Sequence, residues 1–121
     1  MDMASRDKGI ENYTTAEDIA LVLDKIYRGR LIDQNVSSEC MRILKEQKTN
    51  NRIPAKLPRE TVVAHKTGLE KGVCHDAGIV FTPNGDFLIC VLTSHEYRNS
   101  FKSRELISKI AYTVYRYYVP E

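Results

Sequence analysis

Residues 61–68, Thr-Val-Val-Ala-His-Lys-Thr-Gly, constrain this chain more than any other stretch. A β-branched run closed by glycine reads as a strand, expected over Thr61–Lys66. The segment ends in a cation, a hydroxyl and a glycine: Lys66, Thr67 and Gly68. An ammonium and a hydroxyl held together can grip a carboxylate. A glycine beside them lets a ligand come close to the backbone.

The flanking sequence surrounds this strand with a sheet and helices. Thr14-Thr15-Ala16-Glu17-Asp18 starts a helix, with a capping box from Thr14 to Glu17 or from Thr15 to Asp18. Ile19, Val22, Leu23, Ile26 and Tyr27 follow as one apolar stripe, and Gly29 stops it. A second helix is expected from Val36 to about Gln47, capped by Asn35, with Val36, Cys40, Ile43 and Leu44 on one face. Lys48–Glu60 contains Pro54 and Pro58 and reads as a crossing loop. Leu69–Gly72 reads as a connection, Val73–Thr82 as a second strand and Phe87–Ser94 as a third. Pro83-Asn84-Gly85-Asp86 makes the hairpin turn between the last two, because Asn-Gly tolerates positive φ. A final helix, capped by Ser103, buries Leu106, Ile107, Ile110, Ala111, Val114 and Tyr118. The tyrosines near its end suit packing on the sheet with hydroxyls at the rim. The class is α+β: two helices, a three-stranded antiparallel meander and a C-terminal helix over one sheet face.

Size and charge exclude several functions. A chain of 121 residues is one domain or part of one, and 42% hydrophobic residues suffice for a core. A formal charge of +2 is too mild for a nucleic-acid or anionic-membrane binder. No apolar run has the ~20 residues a membrane span needs, and residues 1–8 carry no apolar stretch for a signal peptide, so the chain is expected to stay where it is made. The three cysteines, Cys40, Cys74 and Cys90, fit no zinc spacing and read as free thiols. His65, His75 and His95 have no ligand spacing and no convergent carboxylates, so no metal is expected. Cys74-His75-Asp76 holds nucleophile, base and acid types, but neighbours on a strand face opposite ways and do not pair. His65, by the same alternation, points away from Lys66 and reads as structural.

Lys-Thr-Gly on a strand is one of three signatures of class A β-lactamases and penicillin-binding proteins. From Asn12 onward, over about residues 12–118, the chain resembles the C-terminal portion of that superfamily. Residues 12–20, Asn-Tyr-Thr-Thr-Ala-Glu-Asp-Ile-Ala, resemble the helix start after the family's omega loop. Ile53-Pro54-Ala55-Lys56-Leu57-Pro58 resembles the approach to the motif strand, His65-Lys66-Thr67-Gly68 the motif, and Asp76-Ala77-Gly78-Ile79-Val80 with the Pro83-Asn84-Gly85 turn the hairpin beyond it.

The resemblance implies that Lys66 supplies positive field at the nucleophile and at the substrate's carboxylate, with Thr67 donating its hydroxyl to that carboxylate. It implies an oxyanion donor in the Leu69 N–H, close substrate approach at Gly68, and substrate contact from His75, where many class A enzymes place an arginine. Arg52 and Arg59 are the alternative cations. No cofactor is implied. It further implies that residues 1–60 end the family's all-α part and residues 61–121 form its sheet and terminal helix, together one incomplete domain. Ser5-Arg6-Asp7-Lys8 matches the family's Ser-x-x-Lys in letters only. It lacks the apolar periodicity of a buried helix and lies too close to Lys66. Tyr97-Arg98-Asn99 resembles the third signature but follows the motif, in the wrong order. The chain therefore reads as a fragment of a serine hydrolase acting on β-lactams or D-Ala-D-Ala peptides outside the bacterial cytoplasm, inactive alone; the alternative is a non-catalytic α+β interaction domain derived from the same fold. Family strands from the N-terminal half would cover the Phe87–Ser94 edge. Without them that edge is expected to pair with a second copy, and stability is expected to be marginal.

Overall fold

The computed structural model describes residues 4, 8–9, 12–96 and 99–121. Ser5, Arg6 and Asp7 of the Ser-x-x-Lys look-alike lie outside the described residues, as do Tyr97 and Arg98. Helix α1 covers Ala16–Tyr27, and the Thr15 hydroxyl accepts the Asp18 N–H at 3.1 Å. Helix α2 covers Gln34–Lys45 and starts two residues before the expected point. Its cap is Asp33, not Asn35: the Asp33 carboxylate accepts the Val36 N–H at 2.8 Å. A 3₁₀ turn at Ile53–Lys56 interrupts the expected loop.

Strands β1 (Val63–Glu70), β2 (Val73–Thr82) and β3 (Gly85–Ser94) form one antiparallel sheet in the order β1-β2-β3. β1 starts later and runs further than its β-branched run implied, because Gly68 and Leu69 stay in the ladder opposite His75 and Cys74. The turn is only Lys71-Gly72, and Gly72 takes φ +82°, which a side chain would disfavour. Helix α3 covers Phe101–Tyr118. It starts after Ser100, which places Ser103, the expected cap, buried inside the helix.

The sheet is the middle of three layers. On one face Val63, Cys74, Val80, Phe87 and Ile89 pack with Ile53, Leu57 and the α3 residues Ile107, Ala111 and Tyr115. On the other, Ala77 and Ile79 pack with Leu23 of α1, joined by Ile19, Met41, Leu44, Leu88 and Cys90. Both faces of β3 are thus covered, as its apolar run implied. The helix stripes are narrower than expected: Val22, Ile43 and Leu106 are exposed, whereas Tyr115 is buried. Tyr118 stacks on Phe87 with ring centres 5.1 Å apart. The Tyr27 hydroxyl donates to Asp86 at 2.7 Å and ties α1 to the start of β3.

The β1–β2 pairing leaves no room at Gly78. A Cβ there would sit 2.5 Å from both the Ala64 carbonyl oxygen and His65 Cβ. At Gly68 the nearest atom would be His75 Cδ2 at 3.6 Å, an ordinary contact. Urea unfolding is expected to show Gly78→Ala destabilised by roughly 1–3 kcal/mol and Gly68→Ala by less than about 1 kcal/mol. Equal stability of the two variants would contradict this packing.

Candidate functional site

The ladder decides what β1 presents. Val62 O accepts the Phe81 N–H at 3.1 Å, continuing the Val63↔Val80 register by one step. That marks 62/81 as a hydrogen-bonded pair, and antiparallel ladders alternate such pairs with non-bonded ones. Lys66 and Gly68 therefore direct their backbone groups into β2. His65, Thr67 and Leu69 direct theirs outward, along the free edge of β1. The other ladder agrees: the His95 N–H donates to Gly72 O at 2.8 Å, which commits the even-numbered residues of β2 to β3.

Side chains follow the opposite rule and alternate between faces. Lys66, Gly68 and His75 lie on the face toward α1 and α2, and Thr67 lies with Asp76 on the face toward α3. Alternation alone would separate the Lys66 ammonium from Thr67. The edge reunites them, because the exposed Lys66 side chain bends round and donates to the Thr67 carbonyl oxygen. One edge thus carries an ammonium, the Thr67 backbone and the outward Leu69 N–H. An ammonium beside a fixed N–H can hold an anion and stabilise developing negative charge. Leu69 also lines a cavity of about 800 Å³ with Glu70, Lys71, Gly72, Glu96 and Arg104.

His75 is half-buried behind Gly68. Its Nδ1 accepts the Thr93 N–H at 3.0 Å. This assigns the ring hydrogen of neutral His75 to Nε2. Arg59 is exposed and lines a different cavity, with Lys45 and Thr61. Arg52 is 2% exposed and donates to Cys74 Sγ at 3.2 Å and to Asn51 Oδ1 at 3.0 Å.

Beneath the edge lies a buried polar group that the sequence reading missed in part. His65 is 1% exposed and Asp76 fully buried, with His65 Nδ1 at 2.9 Å from Asp76 Oδ1. Asp76 Oδ2 also accepts the Ile53 N–H at 3.1 Å. The inward direction of His65 was legible from alternation. Its partner was not, because that needs the register set by the short Lys71-Gly72 turn. Cys74 and His75 have separate partners, Arg52 and Thr93, as their opposite faces require. Among the described residues no three His, Cys, Asp or Glu side chains gather to hold a metal ion.

The profile described as the beta-lactamase enzyme family matches residues 1–118. Beta-lactamase VEB-1 of Pseudomonas aeruginosa is 29% identical over 119 residues, covering 90% of this chain and 40% of that protein. The crystal structure of a beta-lactamase from Sphaerobacter thermophilus superimposes with TM-score 0.83 at 25% identity, over 92% of this chain and 43% of that one. A structure of PBP-A superimposes with TM-score 0.78 at 30% identity, over 86% of this chain and 39% of that one. The chain spans about two-fifths of the length of these relatives. A partial class A β-lactamase-like fold on a match that runs through nearly every residue places the chain in the beta-lactamase enzyme family.

Proposed function

We propose that residues 66–69 are one wall of a serine acyl-transfer pocket for β-lactams, with D-Ala-D-Ala peptides as the alternative substrate. The supporting observation is the outward Leu69 N–H on the same strand edge as the Lys66 ammonium. In this reading the reactive serine and its base belong to polypeptide outside residues 1–121, since the sole Ser-x-x-Lys spacing here is Ser5 to Lys8. Residues 1–60 then close the α-helical part of the fold, and residues 61–121 supply its sheet part.

Each residue has a stated task. The serine hydroxyl gives its proton to its base, which later passes it to the leaving nitrogen, as the serine oxygen bonds to the substrate carbonyl carbon; the carbonyl oxygen gains the negative charge that the Leu69 N–H receives. The ring C–N bond then breaks and the nitrogen takes a proton, leaving an acyl-enzyme that water hydrolyses. Lys66 and the Thr67 hydroxyl hold the substrate carboxylate, Gly68 leaves the approach open, and His75 adds its Nε2–H. A variant of PBP-A has been solved as an acyl-enzyme complex with penicillin G, which supports a β-lactam as the ligand class. Such chemistry suits a location outside the bacterial cytoplasm.

Titrating the ¹⁵N-labelled chain with benzylpenicillin is expected to shift the Thr67 and Leu69 amides. Lys66→Ala is expected to weaken that binding by roughly 10- to 100-fold, the equivalent of a charge-assisted hydrogen bond. A titration that leaves residues 66–69 unmoved, or a Lys66→Ala chain that binds equally well, would contradict the assignment.

A second reading concerns the other edge of the sheet. The ladder turns the backbone groups of Leu88, Cys90 and Leu92 outward, on a strand with no proline and an unbroken register. Such an edge recruits another strand. In the chain as given, that strand belongs to a second copy, running antiparallel about Cys90. Light scattering is expected to show dimers that Leu92→Lys disperses. A parent chain that stays monomeric at high concentration would rule this pairing out.

A further inference from the structure

We propose that His65 is a positioning residue. Together with Asp76 and the Ile53 N–H it forms a buried clamp that fixes the register of β1 and so keeps the Leu69 N–H turned outward. The inference deepens the acyl-transfer reading and rests on it for its functional meaning.

The clamp starts from a cost. A carboxylate buried in an apolar layer is strongly unfavourable unless its oxygens are hydrogen-bonded. Asp76 is fully buried and has two donors, the Ile53 N–H at 3.1 Å and His65 Nδ1 at 2.9 and 3.0 Å from its two oxygens. A ring nitrogen facing two carboxylate oxygens carries the hydrogen, so His65 is assigned as the Nδ1–H tautomer.

The geometry makes this bond a register lock. In the ladder His65 stands opposite Gly78, and Asp76 stands opposite Thr67. The His65–Asp76 bond therefore runs diagonally across the two strands. The ring has room to lean because Gly78 has no side chain, its Cβ position being 2.5 Å from His65 Cβ. The Ile53 N–H fastens the 3₁₀ segment to the same carboxylate, and Arg52 fastens it to Cys74 two residues away on β2.

β1 needs such a lock. Among the described residues it is an edge strand, held by a ladder on one side only. A one-residue slip would turn Leu69 N–H into the ladder and Lys66 to the other face. That slip would also break the diagonal and strand a buried carboxylate, so the clamp penalises the registers that would dismantle the edge.

Hydrogen exchange by NMR on the full chain tests this. The Lys66 and Gly68 amides report the β1 ladder, and the Gly78 and Val91 amides report the β2–β3 ladder. His65→Ala is expected to speed exchange at Lys66 and Gly68 by roughly 10- to 100-fold relative to Gly78 and Val91. His65→Asn, which returns an N–H donor near the position of Nδ1, is expected to restore most of that protection. Uniform acceleration across both ladders, or none, would overturn the clamp. The unmutated chain gives an independent readout: ¹⁵N ring shifts are expected to show His65 as Nδ1–H, and an Nε2–H tautomer would also overturn it. A clamp that passes these tests in a chain that ignores benzylpenicillin would sink the acyl-transfer reading alone.

Discussion

The parity of the β1–β2 ladder governs what this chain can do. Antiparallel pairing gives each residue of an edge strand one of two fates: its N–H and C=O bond the neighbouring strand or face outward. With Phe81 N–H on Val62 O, residues 65, 67 and 69 face outward. The Lys66 side chain starts on the α1 and α2 face and reaches the same edge by bending onto the Thr67 carbonyl. A strand with the same residues one step out of register would present neither feature. The proposed chemistry therefore depends on register before it depends on residue type.

Two kinds of interaction enforce that register, and they differ in sharpness. The apolar layers set which face of β2 and β3 meets α3 and which meets α1 and α2, since residues such as Ile79, Val80 and Ile107 are nearly or fully buried. Burying each such side chain contributes about 1.5–3 kcal/mol, but without direction. β1 gives this packing little to hold beyond Val63 and Ala64, because its later half is open to solvent. The buried Asp76 adds direction there. Leaving a buried acceptor without its hydrogen-bond donor costs about 1–3 kcal/mol, more when the acceptor is charged, comparable to the burial of one large apolar side chain. A polar contact is the stricter register device where the apolar core runs out.

Much of this was legible in the sequence. Alternation gave the strands and the inward turn of His65, the Pro83-Asn84-Gly85 turn gave the second hairpin, and stripes gave the helices. The differences fall at element termini, where one residue decides, and at the rim of one helix stripe. Asp33 outcompetes Asn35 as a cap because the carboxylate accepts the Val36 N–H. Gly68 looked like the end of a strand, yet its backbone stays in the ladder and Gly72 makes the turn. Leu106 fits the helical stripe on paper, but the face centred on Ile107, Ala111 and Tyr115 is the one that meets the sheet. The Asp76 partnership was hidden for a different reason. Residues 53, 65 and 76 meet only through tertiary register, and no local pattern encodes it.

The similarity to VEB-1 and PBP-A extends over most of this chain and about two-fifths of theirs. In the proposed function one pocket is divided between this polypeptide and another, with the acylated serine on the other. Intact-mass spectrometry after incubation with benzylpenicillin tests that division most directly. The 121-residue chain is expected to gain no covalent adduct at any time, at concentrations where its Leu69 amide responds to the drug. A stoichiometric penicilloyl adduct on a serine of this chain would contradict it.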